Sequence, residues 1–327
     1  MSHILSRLLA LLIAPWLLAT PPQAQSYSLS GTAGPAARGD LPPGLRAARI
    51  LPGWRTADGQ RVSAIELVLE PGWKTYWRSP GDSGLPPQFD WSGSDNLAGI
   101  TLHWPAPEAI RSGGALSFGY HDRLILPFSA AATEPGKQVT LHLRAEIGLC
   151  ENICVPATLE LTAGAARATP DPRIQAALAA APARIADRPT CGTRPIEDGM
   201  RLTLRLPAGP VRIAAVELEG HPEFWVSEAE LTRTATGTEA VADIIPPSGA
   251  PFDVPTDAII TTLIAPDGSA REARGCDDSP APLDAGALVP PQAPAAGPAP
   301  GVGPDPVPAP AMTPPAMPAA ASQAADG

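Results

Sequence analysis

From Arg61 to Glu70 apolar and polar residues alternate with a period of two, and Pro71-Gly72 then breaks the run. Leu124-Ile125-Leu126-Pro127-Phe128 is a short apolar stretch, and Val139 to Ile147 alternates cleanly. Thr158-Leu159-Glu160-Leu161 closes this first unit, residues 46–165. Short period-two runs separated by turn residues predict an antiparallel β-sandwich rather than helices. Five of the seven tryptophans (Trp54, Trp73, Trp77, Trp91 and Trp104) fall within it, where large aromatics supply core and pocket walls.

The pattern changes after Thr169. Pro170 to Arg188 is the one helix-like stretch, opened by an Asp171-Pro172 cap and carrying Ile174, Leu178 and Ile185 as its apolar positions. It predicts a linker helix within 166–188. A second, smaller β unit follows at 189–277. There Met200–Leu206 and Val211–Leu218 alternate, Ala258–Ile264 is dense as a buried strand is, and Asp267-Gly268 turns into Ala270–Arg274. The fold class expected is therefore all-β with one short interdomain helix.

The two ends read differently. His3 and Arg7 precede an apolar run from Leu8 to Ala19, and Pro21-Pro22-Gln23-Ala24 leads to Gln25, which describes a signal peptide over residues 1–24. Residues 25–45 read as a flexible lead-in. Residues 278–327 are Pro, Ala and Gly without Lys or Arg, a composition expected to be disordered. Met312 and Met317 in that tail are copper ligand candidates. The net charge of −10 lacks the clustered cations that nucleic acid requires.

All four cysteines lie beyond the signal, so two disulfides with three possible connectivities are expected in an oxidising compartment. Cys191 and Cys276 flank the second unit. Joining them closes a loop of about 86 residues, for which chain entropy gives roughly 4–5 kcal/mol. Cys150 and Cys154 sit at the end of an alternating strand with three residues between them. That spacing suits a tight turn, and the loop it closes stabilises little. Three readings stand for this pair: a structural staple, a metal site that lacks further clustered ligands, and thiol–disulfide exchange.

The surrounding residues carry a resemblance. Gly72-Trp73-Lys74-Thr75-Tyr76-Trp77-Arg78, then Phe118-Gly119-Tyr120-His121-Asp122-Arg123-Leu124-Ile125-Leu126-Pro127, then Cys150 to Pro156 resemble in order the N-terminal periplasmic domain of DsbD. The resemblance is closer to its ScsB-type relatives and covers roughly residues 45–165. It implies an immunoglobulin-like sandwich whose Cys150 and Cys154 are the redox pair, with Cys154 facing the partner. It further implies that Phe118 is a cap-loop aromatic shielding the disulfide, and that Tyr120, Tyr76 and Trp77 lie beside the site or contact the partner. The implied function is a periplasmic disulfide-reductase relay, monomeric, with no cofactor and no metal. Its donor is a membrane thiol protein of DsbD or CcdA type and its acceptor a periplasmic thioredoxin-fold protein serving, for example, cytochrome c maturation or copper tolerance. The electron-conducting membrane domain and the C-terminal thioredoxin domain of the larger family members are not recognisable here, so both functions are expected from other polypeptides. The alternatives are a binding or assembly module with two structural disulfides, and a Cu(I)-binding protein.

Overall fold

The computed structural model describes residues 25–28, 41–81, 83–112 and 114–279. The expected signal peptide, and the tail from residue 280 onward with Met312 and Met317, lie outside the described residues. The first module contains β1 (Gln25–Ser28), β2 (Leu45–Arg55), β3 (Arg61–Leu69), β4 (Lys74–Gly81), β5 (Gln88–Asp90) and β6 (Leu97–Leu102). It continues with β7 (Glu108–Ser112), β8 (Ala115–His121), β9 (Arg123–Ala132), β10 (Leu141–Cys150) and β11 (Cys154–Ala163). One sheet has the order β1-β11-β10-β4-β8-β7, with β5 also on β10, and the other is β2-β3-β9-β6. Leu126 and Phe128 from one sheet and Leu141, Leu143, Ala145, Ile147 and Leu149 from the other meet in one apolar core. Each of the larger of these side chains contributes roughly 1.5–3 kcal/mol by leaving water.

Pairing is antiparallel throughout this module except for β1, which runs parallel to β11 from Gln25↔Ala157 to Ser28↔Glu160. The segment read as lead-in thus contributes a strand at its start, and Leu45 already begins β2. A four-residue edge strand followed by Gly and Pro is too short to show a period in sequence.

The helix α1 spans Pro172–Ala179 only. Asp171 caps it, accepting from the Arg173 backbone N–H at 3.0 Å, and Ile174 is fully buried beside Leu51, Val62 and Ala64. It stops well short of Arg188 because Pro182 lies two residues past the cap residue Ala180, and the residue before a proline disfavours helical geometry. Ile185 packs instead against the second core.

The second module comprises β12 (Ala183–Arg184), β13 (Thr190–Pro195), β14 (Met200–Arg205), β15 (Ile213–Leu218) and β16 (Trp225–Val226). After these come β17 (Glu230–Thr234), β18 (Gly237–Ile245), β19 (Ile259–Ile264), β20 (Ala270–Arg274) and β21 (Asp277–Asp278). Its sheets are β12-β20-β19-β15 and β16-β18-β14-β13-β21, with β17 on β18. Cys191 and Cys276 are disulfide-bonded, with Cα atoms 5.7 Å apart, inside the core between these sheets. The fold is mostly β, in several antiparallel sheets.

The two modules share packing. Ile213, Ala215 and Ile264 bury into the first module's core. Arg78 on β4 donates to both oxygens of Glu217 at 2.8 Å and to Glu272 at 2.8 Å. Burial works against the Arg78 charge, but hydrogen bonds and the charges of these two carboxylates outweigh it and raise its pKa.

Candidate functional site

Along β10 the inward residues are buried while His142, Arg144 and Glu146 on the other face reach solvent, as a sandwich strand requires. At Gly148 and Cys150 this outer face also becomes buried. What covers it is Tyr76 of β4, itself 2% exposed. Its hydroxyl donates to Cys150 Sγ at 3.0 Å and lies 3.2 Å from Cys154 Sγ. Burial raises the Tyr76 pKa above its usual 10.0, so the phenol keeps its proton well into alkaline solution.

The ring reaches the sulfurs because two glycines flank it. A Cβ on Gly148 would sit 3.0 Å from Tyr76 Cδ2, and one on Gly84 would sit 2.8 Å from Cδ1. The Thr75 hydroxyl donates to the Gly148 carbonyl at 3.0 Å and pins β4 against β10.

Cys150 and Cys154 are disulfide-bonded, with Cα atoms 4.2 Å apart, and oppose each other at the end of the β10–β11 hairpin. Their environments differ. Cys150 is 1% exposed, whereas Cys154 is exposed at the start of β11 beside Ile153 of the turn, which is 76% exposed. Across the sheet Cys150 pairs with Lys74. Directly opposed residues share a face of the sheet, so Lys74, Tyr76 and Cys150 lie together. Lys74 is 8% exposed and has no carboxylate partner among the described residues. The Glu151 side chain folds back over Gly72 without pairing to it.

The other aromatics singled out in the sequence lie elsewhere. Trp77, next along β4, faces inward and is fully buried. Phe118 is not in a capping loop. It sits within β8, paired with Ala109 of β7, and packs edge-on against Trp77 at 5.9 Å in the core. The apolar face of β8 claims this ring, and the phenol of Tyr76 occupies the place over the sulfurs. Tyr120 is also a core residue. Its hydroxyl donates to the Pro105 carbonyl at 2.8 Å and its ring stacks on Trp104.

Beside the site, Pro80 and Gly84 help to line a cleft of about 540 Å³ between the modules, with Trp104, Phe224 and Trp225. Among the described residues there is no group of three or more His, Cys, Asp or Glu placed to hold a metal. No helix among them is long and apolar enough to cross a membrane.

Lys74 and Gly148 were the site residues whose roles the sequence did not disclose. Both depend on the β4–β10 register, which no local pattern reveals. A glycine interrupting an otherwise regular alternation was the available signal at position 148.

Residues 47–165 match the family model described as thiol:disulfide interchange protein DsbD, N-terminal. Among solved structures, the N-terminal periplasmic domain of ScsB from Proteus mirabilis is similar in fold, with a TM-score of 0.54 and 21% identity. That likeness covers 71% of this chain and 92% of the other, so it extends past the matched segment into the second module. No curated protein matches the chain at a significant level. The match over the sandwich, together with the shared fold, makes residues 47–165 a DsbD-N-like domain.

Proposed function

We propose that the protein is a periplasmic carrier of reducing equivalents that works by dithiol–disulfide exchange at Cys150 and Cys154. The observation that carries this reading is the Tyr76 hydroxyl within hydrogen-bonding distance of both sulfurs, one buried and one exposed. A disulfide that only stapled a hairpin would need no donor buried beside it.

The asymmetry sets the order of events. A donor thiolate attacks Cys154 Sγ, the sulfur that solvent reaches, and the Cys150–Cys154 bond breaks. Cys150 leaves as a thiolate, with the Tyr76 O–H donating to it and the Lys74 cation alongside. The donor's second thiol then loses its proton and attacks the mixed disulfide, releasing Cys154 as thiolate. The oxidised donor departs and the carrier holds two electrons as a dithiol. Delivery reverses the roles, with the Cys154 thiolate attacking an acceptor disulfide and Cys150 resolving the intermediate. Exposed Ile153 in the cysteine turn and Leu85 beside Gly148 are apolar contacts available to a protein partner.

The donor fitting this scheme is a membrane thiol protein and the acceptor a thioredoxin-fold protein, with copper tolerance and cytochrome c maturation as the settings. The similar structure from Proteus mirabilis is titled a periplasmic domain, which supports export of this chain. The test is trapping. Cys150→Ser, which leaves the exposed thiol unresolved, is expected to accumulate mixed disulfides with periplasmic thiol proteins, and Cys154→Ser far fewer. Absence of any adduct, with a reduction potential below about −300 mV, would mark the pair as structural.

A further inference from the structure

The far end of the β10–β11 hairpin holds a second feature that the redox chemistry does not use. Val139 precedes β10 and Ala165 to Arg167 follow β11, so this end lies about 30 Å along the strands from the cysteines. Here Arg55 and Arg61 face each other as a directly opposed pair of the β2–β3 hairpin. Like charges in that relationship are unfavourable. Arg167 joins them through a bridge to Trp54, its backbone N–H donating to the Gly53 carbonyl at 2.7 Å.

Arg61 is 2% exposed, yet its guanidinium donates only to neutral acceptors: Ser63 Oγ at 3.0 Å, the Val139 carbonyl at 2.8 Å and the Pro52 carbonyl at 3.0 Å. A guanidinium carries five N–H donors, so two remain. Arg55 donates to the Lys137 carbonyl at 2.6 Å. None of the three arginines makes an ion pair within contact distance among the described residues, although the charge of Arg167 also acts on Asp171. Nearby acids are engaged elsewhere, Glu134 with Lys137 and Asp171 with Arg173. Burial, and then the charge of Arg55, lower the Arg61 pKa to about 10. A chain of net charge −10 has thus gathered three cations in one place without a direct ion pair to any of them.

The three side chains line a cleft of about 460 Å³ whose other walls include Gly136, Gln138, Ala165 and Ala166, with no Asp or Glu among them. We infer that this cleft is a binding site for a multiply charged oxyanion of the phosphate class. Guanidinium forks match the oxygens of phosphate, and three of them suit a dianion better than a single carboxylate. The small walls offer no aromatic or large apolar surface for an organic body. The ligand is therefore inorganic phosphate or an exposed phosphoryl headgroup of a lipid.

Inorganic phosphate, titrated calorimetrically into the full chain at fixed ionic strength, is expected to bind saturably. Arg167→Gln and Arg55→Gln replace exposed residues and leave the fold intact, and each is expected to weaken binding at least tenfold. Equal thermal shifts from phosphate and from matched chloride, or binding that survives in the double variant, would overturn the inference. Vesicles containing phosphatidic acid, whose terminal phosphomonoester can carry two charges, against phosphatidylcholine alone separate the sources. Arginine-dependent co-sedimentation with the former assigns a lipid headgroup, and its absence alongside phosphate binding assigns the free anion.

Discussion

Tyr76 and Cys150 are both almost inaccessible to solvent, 2% and 1% exposed, with the phenol oxygen 3.0 Å from the sulfur. The contact is available to the disulfide and grows stronger when Cys150 becomes a thiolate, because a hydrogen bond to a charged acceptor is worth roughly 1.5–3 kcal/mol against about 1 for a neutral one. The residue therefore favours bond breaking more than it favours the resting state. Tyr76→Phe is expected to slow reduction by dithiothreitol about tenfold, read by stopped flow, with little change in thermal stability. The buried phenol titrates above its usual 10.0, so its contribution holds at neutral pH and fades only as pH rises past the raised value.

Gly148 and Gly84 test the same contact from either side of the ring. Gly148→Ala places a methyl 3.0 Å from Tyr76 Cδ2 and 2.9 Å from Leu85 Cβ, so the ring must move. The exchange rate is expected to fall as far as in Tyr76→Phe, together with a loss of about 1–3 kcal/mol in denaturant stability from overpacking.

Lys74 contributes through charge. With no carboxylate to neutralise it, its cation lies on the face where Cys150 becomes an anion. Lys74→Met is expected to slow reduction about tenfold, and Lys74→Arg to restore most of the rate. Added salt is expected to slow the wild-type reaction more than that of the Met variant, a dependence that a packing role would not produce.

The two disulfides are expected to differ in what they hold together. Cys191 and Cys276 are 85 positions apart, and replacing both with Ala is expected to cost about 4–5 kcal/mol in denaturant unfolding. Replacing Cys150 and Cys154, only 4 positions apart, is expected to change stability far less while abolishing exchange.

Acid should weaken the contact between the modules. Glu272 is buried, which alone would raise its pKa, but hydrogen bonds and charge from Arg78 and Arg274 bring it below the usual 4.5. A carboxylate with a depressed folded value stabilises above its unfolded value and loses that contribution as pH falls through the folded one. Thermal unfolding is thus expected to be steady above about pH 4.5 and to drop below it. Arg78→Ala, which leaves two carboxylates without their partner, is expected to cost about 3–5 kcal/mol at neutral pH.

How much of this was legible beforehand follows from what is local. The run from Val139 to Ile147 announced β10, and the cysteine turn after it announced the hairpin tip, because period-two patterning needs only neighbours in sequence. Tyr76 and Trp77 were both visible as candidates, but which one meets the sulfurs depends on which face of β4 packs inward. Family resemblance points Phe118 to a cap loop, whereas the strand pairing with Ala109 puts it in the core. Pro182 carries the signal that ends α1, set among alanines that favour continuing it. Arg55, Arg61 and Arg167 are far apart or unremarkable in sequence, and only a hairpin register and a bridge gather them.

Strand β4 carries Tyr76 to the sulfurs and, two residues on, Arg78 to Glu217 and Glu272 of the second module. The two attachments are separated by roughly 7 Å of extended backbone. A partner that grips the second module and turns it is expected to pull, through Arg78, on the backbone that carries the phenol. The second module is then a handle on the reactivity of a bond it never touches.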